Sequence, residues 1–355
     1  MKPELEKLCT DYIANRDTVK KAFRWDNGDL FSVCANIFCA SGQAADADRL
    51  KECHKVIRAH TKPFSKFRGS MIRSILASML ALAEQPDDRM ILANDYYRLL
   101  KRKFKGKVYL VLTAFLLTDL ADKTLTEETA SRGKEIYRRM NQKHRMLTNK
   151  TDSVFAMLMA FSGKSEDELT EETEACYQAL KKHFSNSSAV QTAAQVLSMT
   201  SGTPEEKAQR LNELYDALTE AGVKYGHSDE LAPLAALSLS GTPIPALVEE
   251  IKEADTFLEG QEGYGTKEDD LKKRAMHAVM IVSDQYSGTD QVNITVMTNT
   301  LDMLISKQRS SRVSLAFNLI QALVQLLGGI AEKKNSTESE AAGQPDAEKQ
   351  QKEPP

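Results

Sequence analysis

Val154-Phe155-Ala156-Met157-Leu158-Met159-Ala160-Phe161-Ser162-Gly163 holds eight consecutive apolar residues with no polar side. A helix apolar all round is buried on several sides at once. Ser-Gly stops it, because glycine suits the C′ position. Ser165-Glu166-Asp167-Glu168 follows and supplies capping-type residues for a second helix. In that second helix Cys176, Leu180 and Phe184 recur at helical spacing. The pattern repeats along the chain. Apolar runs end in Ser-Gly at Ser41-Gly42, Ser162-Gly163, Ser201-Gly202, Ser240-Gly241 and Ser287-Gly288, with weaker copies at Ala83-Glu84 and Ala121-Asp122. A second marker falls at Ile57, Tyr97, Tyr137, Tyr177, Tyr215 and Phe257, in steps of 40, 40, 40, 38 and 42. Seven residues beyond its first four positions stand Phe64, Phe104, His144 and Phe184.

Two markers with one period predict about six helix-pair units of roughly 40 residues. No segment alternates with period two between hairpin turns, so an all-α chain is expected. One helix pair cannot bury its apolar face alone. Stacked neighbours can, which predicts an α-solenoid whose unit length suits the HEAT or armadillo range. The domain reading is a capping helix over 1–28, a helical-repeat domain over 29–290, closing helices over 291–331 and a polar tail over 332–355. Residues 313–331 are apolar enough to raise a membrane contact. A polar stripe of Ser314, Asn318, Gln321 and Gln325 favours a buried closing helix instead, with an oligomerisation helix as a further option.

The five cysteines, Cys9, Cys34, Cys39, Cys53 and Cys176, form no C-x-x-C pair. They read as small buried hydrophobes in a reducing compartment. Met1-Lys2-Pro3-Glu4-Leu5-Glu6 lacks the apolar stretch of a secretory signal, so a cytoplasmic location is expected. The six histidines never approach at i,i+4 and never pair with cysteine at ligand spacing, so no metal and no cofactor are expected. Gly163-Lys164-Ser165 echoes the end of a P-loop, but Leu158 stands where its first glycine belongs. No catalytic constellation emerges, and binding is favoured over catalysis.

Charge is the informative feature. Residues 51–150 carry 22 Lys and Arg against 10 Asp and Glu, whereas 151–300 carry 11 against 25. The bases gather at the end of the second helix in successive units. The candidate binding residues are Arg58, Lys62, Lys66, Arg98, Lys101, Arg102, Arg138, Arg139, Lys143, Arg145, Lys181 and Lys182. Bases at helix ends complement the macrodipole. That explanation predicts the pattern in every unit, yet the pattern fades after the fourth. A basic edge for an acidic protein partner, or for the acidic half of a second copy, is the competing reading. Nucleic acid is a further possible partner with little aromatic support, and a membrane is not expected.

Residues 110–241, with Asp119-Leu120-Ala121, Tyr137-Arg138-Arg139-Met140 and Tyr177-Gln178-Ala179-Leu180-Lys181-Lys182, resemble domain-of-unknown-function family 4003, a helical family of Gram-positive bacteria. The resemblance covers most of residues 5–325. It implies a bacterial, cytosolic origin and transfers no functional residue. The function expected is that of a helical-repeat binding or scaffolding protein. The alternative is a nucleic-acid binder or DNA-glycosylase-like enzyme of similar repeats. That alternative requires Arg102, Arg139 and Lys182 to line a groove holding an aromatic side chain and a buried carboxylate.

Overall fold

The computed structural model describes residues 1–286 apart from 25, 27, 70, 71, 119–124, 149, 151 and 229. The closing helices read at 291–331, the tail at 332–355 and the markers at Ser287-Gly288 and 119–122 lie outside the described residues. Among the described residues there are fourteen α-helices, one short 3-10 turn and no strand, so the chain is all-α.

The helices pair in chain order. The pairs are α1 (Pro3–Ala22) with α2 (Gly28–Ala40), α3 (Ala47–Ala59) with α4 (Arg73–Leu82), and α5 (Pro86–Lys103) with α6 (Lys107–Thr118). Next come α7 (Glu127–Lys143) with α8 (Asp152–Met159), and α9 (Glu166–Lys181) with α10 (Ser187–Ser198). The last are α11 (Pro204–Glu220) with α12 (Leu231–Ser238), and α13 (Ile244–Glu259) with α14 (Glu268–Gln285). The even-numbered helices are the apolar ones, α14 only in its second half; α8 and α12 are buried along their whole length, and α10 from Ala189 onward. The odd-numbered helices are amphipathic. Of its two neighbours in the chain, each packs more closely on the apolar helix that follows it than on the one before the Ser-Gly turn. The sequence unit therefore straddles two packing pairs, and residues 3–22, read as a cap, form half of a seventh pair.

Local signals set the boundaries. Ser165 and Thr203 start α9 and α11 with complete capping boxes, and Asp46 and Thr126 cap α3 and α7. The turns into α3, α11 and α13 contain Gly42, Gly202 and Gly241 at φ of +64°, +99° and +72°. This is the left-handed region that glycine enters without steric cost.

Every pair is antiparallel, because side chains early or midway in the odd helix reach the end of the even one. Arg49 donates to the Ala83 carbonyl at 3.0 Å, Arg89 to the Thr118 hydroxyl at 3.1 Å and Arg132 to the Ala160 carbonyl at 2.8 Å. Thr173 donates to the Ser198 hydroxyl at 2.8 Å, and Arg210 to the Ser238 carbonyl. Asn15 meets Cys39 Sγ at 3.5 Å, and Gln285 donates to Glu250 at 3.1 Å. The starts of all odd helices thus share one end of the array. The loops that follow odd helices share the other.

Adjacent pairs are clasped by aromatic rings. Phe67 packs on Tyr97 at 5.2 Å between centroids, Phe104 on Tyr137 at 6.0 Å, His144 on Tyr177 at 4.4 Å and Phe184 on Tyr215 at 5.1 Å. At Phe104, His144 and Phe184 the two periodic markers are thus one device, the later ring of one unit meeting the earlier ring of the next, and at the first clasp Phe67 takes that place.

The array also closes on itself. α1 packs on α13 and α14, and α2 packs on α14. Lys2 pairs with Glu250 at 2.7 Å, Lys20 pairs with Glu262 at 2.9 Å, and Arg16 donates to the Glu262 carbonyl at 2.9 Å. Asn36 donates to Asp284 at 2.5 Å. All five cysteines are buried and form no disulfide; burial raises the Cys53 thiol to about 11 and those of Cys9, Cys34 and Cys176 to about 12. No helix among the described residues is long and apolar enough to cross a membrane.

Candidate binding groove at the basic end

The connection from α3 to α4 runs over residues 60–72, against 104–106 in the next pair. The extra length folds locally. Ser65 caps a 3-10 turn at Lys66–Arg68, accepting from Phe67 N at 3.4 Å. Arg68 turns back to donate to the carbonyls of Arg58 and Thr61, and to the Thr61 hydroxyl at 2.9 Å. That pin drives Phe67 into the core, where it is 1% exposed and packs on Tyr97 and Phe115. Phe64, which occupies the 40-residue register, is displaced into solvent and is 99% exposed.

A groove of about 880 Å³ opens between this loop, α5 and the start of α6. Lys62, Phe64 and Lys66 line it from the loop, Tyr97, Arg98 and Lys101 from α5, and Phe104, Lys105 and Gly106 from the next connection. Among the described residues no carboxylate lines it. The amines of Lys62, Lys66, Lys101 and Lys105 have neither ion-pair nor hydrogen-bond partners among the described residues. Arg98 is held by Asp95 at 2.8 Å. At the rim His60 Nε2 lies 2.6 Å from Asp87.

Four of the twelve sequence-predicted residues, Lys62, Lys66, Arg98 and Lys101, therefore come together in one groove. The others do not enter it. Arg58 is exposed outside it. Arg102 lies 3.7 Å from Glu127, whose stronger partner is Lys103 at 2.5 Å. Arg138 and Arg139 both hold Glu135, at 2.7 and 2.8 Å, and their hydrogen bonds lower its carboxyl to about 2. Arg139 also reaches Asp167. Lys181 donates to the Ser185 carbonyl at 2.6 Å and so closes its own helix. Lys143, Arg145 and Lys182 stand exposed at the same end of the array. Arg102, Arg139 and Lys182 thus fail to share a groove, and no carboxylate joins them in one.

The sequence reading did not single out Phe64 or Phe104 as lining residues. A signal for the first was present. In Thr61-Lys62-Pro63-Phe64-Ser65-Lys66-Phe67 two aromatics stand among cations where the repeat needs one. Among the described residues no group of three His, Cys, Asp or Glu side chains is placed to hold a metal ion.

No curated protein and no solved structure matches this chain. A family model does: that of the protein of unknown function DUF4003 covers residues 15–310, and the chain belongs to this family.

Proposed function

We propose that the chain is a binding protein that captures an anionic partner in the groove between the α3–α4 loop, α5 and the start of α6. One observation carries this reading. Four lysines converge without a counter-charge, while neighbouring arginines are neutralised by acids of their own chain. Lone surface ion pairs contribute little. Clustered like charges left unneutralised repel one another, and that repulsion is relieved when an anion arrives. The absence of a carboxylate from the groove, and of Arg102, Arg139 and Lys182 with it, supports binding over the DNA-glycosylase-like alternative.

The test is a fluorescent glutamate peptide titrated against the wild-type chain and a Lys62→Glu, Lys101→Glu double variant. Binding at low ionic strength is expected to weaken at least about tenfold in the variant and to fall as salt rises. Equal binding by the two proteins would remove the groove from the account.

A further inference from the structure

The groove carries information about its occupant beyond the sign of its charge. Among large apolar side chains of the described residues, Phe64 at 99% and Met146 at 98% stand almost wholly free, and the next, Ile91, reaches only 48%. Both lie in loops at the basic end. Phe64 sits between Lys62 and Lys66, and Met146 follows Arg145. Exposed apolar side chains scatter singly over most surfaces. Here the two freest share one end of the array, each flanked by cations. The loops carrying them belong to a connected surface. Gly106 has φ +101°, and a Cβ there would lie 3.0 Å from Lys150 Cβ, so the α5–α6 connection touches the α7–α8 connection directly. The groove floor at Gly106 therefore runs on towards the loop that bears Met146.

The chemistry favours polypeptide over nucleic acid. Stacking of successive bases needs several open ring faces. Phe64 presents one, whereas Tyr97 and Phe104 are edge-packed on Phe67 and Tyr137. Phosphate is best gripped by the arginine fork, and Arg98, Arg138 and Arg139 are already taken by Asp95 and Glu135. Within the groove the free cations are lysines, compact point charges that each suit a single carboxylate, while the exposed Arg58 and Arg145 stand outside its lining. A long polyanion would also meet the acidic half of the chain, where residues 151–300 carry 25 acids against 11 bases.

We infer that the occupant is a short acidic polypeptide segment with apolar side chains among its carboxylates, one seated on Phe64 and another reaching Met146. This rests on the anionic-partner reading above, and the experiment separates the two. Three fluorescent probes are titrated against the full chain at low and moderate salt: a glutamate peptide bearing two tryptophans, the same peptide with alanines in their place, and an oligothymidylate of equal charge. The tryptophan peptide is expected to bind about tenfold tighter than the alanine peptide. Phe64→Ala is expected to erase most of that gap and Met146→Ala part of it, with unchanged melting temperatures. Equal affinity for the two peptides, with both weakened by Lys62→Glu and Lys101→Glu, would overturn the apolar anchors and leave the anionic site standing. Tighter binding of oligothymidylate would overturn the polypeptide assignment. Failure of all three probes to bind at low salt would sink both readings.

Discussion

At Phe67 a ring that is 1% exposed packs edge-on against Tyr97 and tilts against Phe115; three residues earlier Phe64 touches almost nothing. Phe67→Ala is therefore expected to cost about 3–5 kcal/mol, the usual range for emptying a buried aromatic site. Phe64→Ala is expected to change stability by less than about 0.5 kcal/mol. Denaturant titration of both variants checks the pair, and comparable losses would contradict the placement of the two rings. The period assigns the clasp position to Phe64, since 64, 104, 144 and 184 form a regular series. The shift to Phe67 was not legible, because it depends on Arg68 closing the loop through carbonyls of Arg58 and Thr61. The clustering of bases was legible in sequence. Which bases stay free was not, because neutralisation depends on where acids such as Glu135 stand on the same helix or a neighbouring one.

Cations near the starts of the odd helices stand at the unfavourable pole of their own helix dipole. The antiparallel pairing explains them. The last carbonyls of an α-helix lack partners within it, and these side chains supply donors to the apolar helix alongside. Arg132 reaches the carbonyls of Ala160 and Ser162 at 2.8 and 3.0 Å, and Glu166 at 2.8 Å, and it also meets Lys164 O. Lys164 and Lys207 do the same for α10 through the Thr200 carbonyl, at 2.9 and 3.1 Å, and share Glu172. Arg132→Ala is expected to destabilise the chain by about 1–3 kcal/mol, because several partly buried acceptors lose their donor together. Arg138→Ala, at an exposed position, is expected to stay within about 0.5 kcal/mol. Chemical denaturation separates them, and similar effects would show that the helix-end carbonyls are satisfied by water. Helix class and approximate boundaries were legible here, because caps and apolar runs are local. The phase of the pairing was not, because the sequence unit and the packing unit differ by one helix.

Closure belongs to the whole molecule, and no period announces it: Lys2 and Glu250 meet across 248 positions. What the sequence did show was unequal charge along its length. The closure draws only on the acidic side of it, setting Lys2 at the N-cap of α1 and Lys20 within α1, both outside the basic stretch 51–150, against Glu250 on α13 and Glu262 just beyond it. Glu250 is the buried member, 2% exposed. Burial alone would raise its carboxyl, but hydrogen bonds from Lys2 at 2.7 Å, Tyr286 at 2.5 Å and Gln285 at 3.1 Å outweigh that and hold it below the usual carboxylate range. An unfolded glutamate titrates near about 4.3. With the folded value lower, the unfolded chain binds the extra proton between the two. The charged form therefore adds stability that is fully present above about pH 4.3 and lost as pH falls through the folded value. Glu250→Gln removes this contribution and keeps the shape. Wild type is expected to melt above the variant at pH 7, with the gap closing as pH drops below about 4. Other carboxylates titrate in both proteins and cancel in the difference. Hydrogen exchange at pH 7 should then rise in α1 and α13 of the variant before it rises in α7 and α9. A melting gap independent of pH, or exchange that rises evenly around the array, would place the strength of the closure elsewhere than in this ionised seam.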